Sequence, residues 1–155
     1  MSKEVKTELL EAFRQSSRKY SDASILMHEA IARKAGLSGT DHKYLGFLIE
    51  RGPMTAGELG VLTGLTSGAI TGLIDRLEKK KLAKRQFDKD DRRKVIIVPD
   101  MENTMKLLKP LFTELQRKTE KLISSFTDKE IRIIEKYFHS ASEVMNDVIN
   151  HLNKK

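Results

Sequence analysis

The sequence predicts a mainly helical (α+β) protein in which a helix-turn-helix is followed by one β-hairpin, with long helices at both ends. Three observations carry this. A short segment opened by Thr55 and closed by Gly64 is followed at once by Ala69, Ile70, Leu73, Ile74 and Leu77 at helical spacing. Further on, Val95, Ile96, Ile97 and Val98 form a β-branched run behind a charged loop. Near the two ends, from Val5 to Ala30 and from Ile131 to Leu152, small and apolar residues return mostly at steps of three or four. Composition agrees: aromatic residues are 6% of the chain, tryptophan is absent and there are three prolines, which favours helix over a sandwich of strands.

The first helix carries Val5, Leu9, Ala12, Ser16, Ala23, Met27 and Ala30 on one stripe. It should stop near Ala35-Gly36, because glycine enters the left-handed conformation without a β-carbon clash. Ser38, with Asp41 three residues later, can cap a second helix whose apolar face is Leu45, Leu48 and Ile49 and which Arg51-Gly52-Pro53 closes. Thr55 and Glu58 form a capping box for a third, short helix, and Thr66 is placed to cap the fourth. A strand is expected over Leu82 to Phe87, with Leu82 and Phe87 inward, and a second over Val95 to Val98. The loop between them lacks the Asn-Gly or Asp-Gly of a tight turn, so a longer and more mobile tip is expected. Asp100 can cap the next helix, which carries Leu108, Leu111, Leu115, Leu122 and Phe126 and should kink at Pro110. Thr127 with Glu130 opens the last, whose stripe is Ile131, Ile134, Phe138, Ala141, Met145, Val148 and Leu152.

With no cysteine, the chain can form neither disulfides nor thiolate metal sites, and a cytoplasmic location is expected. The N-terminal MSKEVKTELLEAF holds Glu4 and Glu8 and no continuous apolar stretch, so neither signal peptide nor membrane anchor is expected. The chain carries 29 basic and 22 acidic residues, a formal charge of +7. From Thr66 to Val98 ten basic residues face five acidic ones, so this stretch alone supplies +5. A basic helix followed by a basic hairpin suits duplex DNA: the helix fits the major groove, and an arginine tip fits the negative potential of the minor groove. A merely solvated charged face would have the same total. The TSGAIT turn sharpens the choice. Thr66, Ser67 and Thr71 offer short hydroxyls, Gly68 and Ala69 let a backbone approach, and the exposed amides of a helix start attract phosphate. Thr66 and Ser67 could also simply cap the helix, and the two roles are compatible.

The stretch from Leu37 to Val98 resembles the MarR family of bacterial winged helix-turn-helix regulators. The matching pieces are Leu37-Ser38, Gly52-Pro53-Met54-Thr55, Glu58-Leu59, the Thr71 to Leu77 run TGLIDRL, and Asp88-x-x-Asp91-Arg92-Arg93. The resemblance implies one MarR-like domain over residues 1–155: a winged helix-turn-helix core at 37–98, and a helical dimerisation region from 1–35 and 100–155. It implies a homodimer reading a pseudo-palindrome, most simply a repressor, with Thr66, Ser67, Gly68, Ala69 and Thr71 on the major groove. Arg76 would hold phosphate, Arg92 and Arg93 would reach the minor groove with Lys94 beside them, and Asp91 would position one of the arginines. A small aromatic or phenolic effector would bind between dimerisation and winged regions, and no cofactor or metal is implied. The terminal stripes suit such a dimer, although they could instead pack within one chain.

Some residues depart from the family pattern. Lys81 stands where a glycine usually ends the recognition helix, so the turn there should be strained or shifted. Gly60 replaces an alanine, Pro99-Asp100 replaces Leu-Thr, and His42 occupies a position commonly held by a larger aromatic, facing the effector crevice; it could contact a ligand or be an ordinary half-buried histidine. An enzyme is disfavoured, since the four histidines are scattered and neither a phosphate loop nor a nucleophile setting is recognisable. A basic helical RNA-binding or scaffold protein is the alternative. Single-strand recognition usually needs aromatic platforms, and among the basic residues only Phe87 could be one.

Overall fold

The computed structural model describes residues 3–89, 91 and 93–153. Helix α1 (Lys3–Lys34) stops where expected. Gly36 takes φ 68°, its N–H donates to the Arg33 carbonyl at 3.0 Å, and the Leu37 N–H donates to the Ala32 carbonyl at 2.8 Å. This double closure turns Leu37 into the core beside Ala32. Helix α2 (Gly39–Arg51) is capped by the Ser38 hydroxyl, which accepts from the Asp41 N–H at 3.0 Å. Only this half of the anticipated capping pair forms, because the Asp41 carboxylate is buried and engaged elsewhere.

A two-residue strand, β1 (Met54–Thr55), precedes α3 (Ala56–Thr63); it is too short to leave a pattern in sequence. The Thr55 capping box is complete, and Gly64 ends the helix at φ 71°. Helix α4 (Ser67–Lys79) follows, capped by Thr66. Strands β2 (Ala83–Phe87) and β3 (Val95–Pro99) pair antiparallel, Arg85 opposite Ile97 and Phe87 opposite Val95, and β1 adds to the far side of β3 to give the order β1-β3-β2. Leu82 is buried as expected, but Phe87 is 68% exposed rather than inward. It stands at the loop end of the hairpin, where none of the described residues buries it.

The turn between α4 and β2 is strained rather than shifted. Lys81 adopts φ 56°, with its N–H on the Glu78 carbonyl at 2.8 Å and the Leu82 N–H on the Leu77 carbonyl at 2.9 Å. This is the closure Gly36 makes at the end of α1, here forced on a residue with a β-carbon. Leu82, thrown inward by it, is the return. Lys81→Gly should stabilise the fold by about 0.5–1 kcal/mol, the left-handed cost less the added freedom of glycine in the unfolded chain. Urea unfolding measures this, and an unmoved midpoint would show that the turn carries no strain.

Helix α5 (Met101–Ile123) begins at Asp100, whose carboxylate accepts from the Asn103 N–H at 2.9 Å. Asn103 donates to the Lys81 carbonyl at 3.2 Å, and buried Thr104 donates to the Leu82 carbonyl at 3.4 Å, so the first turn of α5 fastens the strained turn. The helix runs on through Pro110 and ends at Ile123, which leaves Phe126 in the following turn. Helix α6 (Asp128–Asn153) opens on the Thr127–Glu130 box. The chain divides into two compact units, Met1–Phe112 and Thr113–Lys155. The core belongs to the first: Leu45 and Leu48 of α2, Leu59 of α3, Leu73 and Leu77 of α4 and Ile97 of β3 are nearly inaccessible. Among the described residues no single helix is long and apolar enough to cross a membrane.

Candidate nucleic-acid interface

Helix α4 has two faces set by its sequence. Ile70, Leu73, Ile74 and Leu77 are buried, and the residues between them, Ser67, Gly68, Ala69, Thr71, Asp75 and Arg76, are exposed together with Thr66. The core therefore orients the TSGAIT turn outward. The Thr66 hydroxyl accepts from the Ala69 N–H at 3.4 Å, and Thr71 donates to the Ser67 carbonyl at 3.0 Å. Both hydroxyls keep acceptor capacity, and the Ser67 and Gly68 amides, in the first turn, have no intrahelical carbonyl to donate to. A β-carbon on Gly68 would meet nothing within 4 Å. Packing inside the chain thus does not require glycine there, and the space is open to an approaching backbone.

Arg76, expected on phosphate, is anchored within the chain. Its Nε lies 3.0 Å from Asp41 Oδ2 and its Nη2 2.7 Å from Oδ1, a forked pair in which the Asp41 side chain is 4% and the Arg76 side chain 53% exposed. These bonds raise the guanidinium pKa above its ordinary value. The fork uses Nε and Nη2; among the described residues Nη1 has no hydrogen-bond partner, so one edge of the arginine remains for a ligand. Sequence reasoning missed Asp41, which it took only as a cap partner, and also Arg85. The Arg85 guanidinium bridges Asp75, at 2.7 Å, and Glu78, while its N–H donates to Glu78 Oε1 at 2.7 Å. The two acids of the recognition helix are thereby paired, which leaves the flanking cations to set the sign of the surface potential.

The wing loop is built by its aspartates. The Asp91 N–H donates to the Asp88 carboxylate at 3.0 Å, the Lys94 N–H to the Asp91 carbonyl at 2.9 Å, and the Asp88 N–H to the Lys94 carbonyl at 2.9 Å. Asp91 then receives the Arg93 N–H at 3.1 Å and the Arg93 Nε at 3.0 Å, which holds its carboxyl below the usual range. Arg93 is nevertheless 90% exposed at its side chain, and Lys94 is exposed beside it. Arg92 lies outside the described residues.

His42 is buried and lines a half-open cleft of about 680 Å³ between α1, α2 and the first part of α5. Its ring lies 6.0 Å from that of Phe112, nearly parallel, and 5.5 Å from that of His28. Gly46 is on the same wall, and a β-carbon added there would meet nothing, so the missing side chain is part of the cavity. At Gly39 a β-carbon would fall 1.8 Å from the Glu29 carboxylate, the end of a flexible side chain that can swing aside. Burial, then the neighbouring His28, lowers the His42 pKa against a smaller opposing effect of Glu29. A histidine whose folded pKa is depressed adds stability above its ordinary value near 6.5 and loses it as pH falls through the folded value. His42→Phe should therefore show a smaller fall in melting temperature between about pH 7.5 and pH 5 than the parent, and an equal fall would remove His42 from the titration.

A short helix, a left-handed glycine turn, a second helix with its polar face outward and a three-stranded sheet ending in a basic loop define a winged helix-turn-helix protein. Comparison with known proteins agrees. The MarR family model matches residues 35–94. The HTH-type transcriptional regulator YcgE of Bacillus subtilis is 39% identical over 96% of this chain and 96% of its own, and MhqR of the same organism is 30% identical over 80% and 84%. Among solved structures, a MarR family protein from Bacillus stearothermophilus superposes with a TM-score of 0.68 at 23% identity, covering 94% of this chain and 99% of its own. The chain belongs to the MarR family of DNA-binding transcriptional regulators.

Proposed function

We propose that this protein is a cytoplasmic homodimer that binds a pseudo-palindromic site in double-stranded DNA and represses by blocking access to a promoter. The observation that carries this is the outward face of α4: Thr66, Ser67, Gly68, Ala69 and Thr71 are exposed, and the hairpin that follows ends in a loop whose Arg93 is held out by Asp91. Thr66, Ser67, Gly68, Ala69 and Thr71 enter the major groove, Arg76 offers its remaining edge to phosphate, and Arg92, Arg93 and Lys94 meet the minor groove and its flanking phosphates. Residues 37–98 form the reading module, and 1–35 with 100–155 form the dimerisation region. A two-fold dimer sets its recognition helices about 34 Å apart, one turn of DNA. No chemical step is needed; the protein acts by occupancy, and no cofactor enters.

A small aromatic or phenolic effector fits the cavity beside His42, Phe112 and Gly46. It regulates only if it binds one dimer geometry better than another. The wing supplies the test of the DNA reading. Replacing Arg92 and Arg93 together by alanine should weaken duplex binding and flatten its dependence on salt, by about two units of log–log slope for each wing at most, since fewer counterions are released. An unchanged salt slope would exclude the wing from the contact. Displacement of duplex by a random single-stranded RNA as effective as by duplex itself would favour the RNA-binding alternative.

A further inference from the structure

We propose that Phe87 is a DNA-contacting residue, its ring packing against the deoxyribose of the strand that separates the two grooves read by α4 and by the wing. This rests on the duplex reading above. Alternate residues of a strand share a face, so Phe87 lies on the side of β2 that also carries Arg85 and Ala83. Arg85 on that side bonds Asp75 and Glu78, which identifies it as the side turned to α4. Phe87 follows Arg85 by two residues, about 7 Å further along the strand, between the recognition helix and the wing tip. There it is 68% exposed, and Val95, its partner across the hairpin, is 41% exposed. The pair stands at the base of a loop whose Lys89, Arg93 and Lys94 are exposed.

The chemistry of that setting selects the occupant. A protein partner seated on the pair would have to desolvate the cations of the adjoining loop, whereas a sugar-phosphate strand brings anions to them and an apolar sugar face to the ring. A helix in the major groove and a loop in the adjacent minor groove necessarily straddle one backbone strand, and the residue between helix and loop faces it. A phenylalanine makes no hydrogen bond there and carries no charge, so it adds affinity without adding to counterion release.

The test compares the full-length protein with Phe87→Ala, Phe87→Leu and Phe87→Gln on a duplex recovered by the parent from a random-sequence pool, at several salt concentrations, with thermal unfolding as a check on folding. Phe87→Ala and Phe87→Gln should each weaken binding about tenfold at every salt concentration with the slope unchanged, and Phe87→Leu should recover most of the loss. Binding within twofold of the parent by a folded Phe87→Ala or Phe87→Gln would overturn the assignment. So would a loss accompanied by a flatter salt slope, which would mean that the ring sets the cations rather than touching sugar. A parent that recovers no duplex at all overturns both this and the duplex reading, whereas a parent that binds and variants that match it overturn Phe87 alone.

Discussion

If the proposed dimer forms through α6, Phe138→Asp combined with Met145→Asp should give a monomer whose affinity for duplex DNA falls about a hundredfold, because the second half-site is no longer delivered at high effective concentration. The reason lies in what α6 leaves uncovered. None of its described residues is buried, and Phe138, Met145, Val148 and Leu152 are 48%, 65%, 52% and 74% exposed. Near the start of α1, Leu9 and Phe13 are 57% and 48% exposed. Soluble monomers rarely keep contiguous apolar surface beyond a few hundred Å² in water, so two helices patterned this way call for a partner. A second copy is the partner that a family reading of symmetric sites requires. Sedimentation equilibrium reads the first half of the prediction and fluorescence anisotropy on a duplex the second. A variant that stays dimeric with undiminished binding would move the interface off α6.

Arg76→Ala should lower the stability of the winged unit by about 2 kcal/mol, because it leaves the Asp41 carboxylate buried without its forked partner. The estimate stands below that for a fully enclosed pair since the outer side of Arg76 is open to water, which can partly replace it. A residue serving phosphate alone would change binding and leave unfolding untouched. Two variants separate the roles. Asp41→Asn with Arg76→Ala removes the stranded charge and should regain part of the lost stability, while duplex affinity stays low if the Arg76 edge is used. Full stability in Arg76→Ala would show that the fork contributes nothing to the fold.

These predictions also mark what was legible in the sequence. Capping is local, so Ser38, Thr55 and Thr127 could be assigned from a residue three positions on, and Thr66 and Asp100 from their place just ahead of a helical apolar pattern. The buried face of α4 followed from its period, and the outward TSGAIT turn followed from the buried face. The Lys81 strain could be foreseen only through the family resemblance, in which a glycine usually stands at that position. What stayed hidden depends on distant partners. The Asp41–Arg76 fork joins residues 35 apart, and nothing local to Asp41 distinguishes a cap from an anchor. The β1 strand has two residues, no period, and exists only because β3 offers an edge. Phe87 was expected inward as an apolar strand residue, but at the loop end of the hairpin it is 68% exposed.

Selection of bound duplexes from a random DNA pool by the purified protein tests the central claim most directly, since symmetry, spacing and groove preference emerge together. The expected outcome is an enriched inverted repeat whose half-sites are centred about 34 Å apart, lost when Thr71 and Ser67 are replaced by glutamate. Enrichment of no sequence, or of a single unrepeated element bound by one chain, would contradict a dimeric reader of duplex DNA.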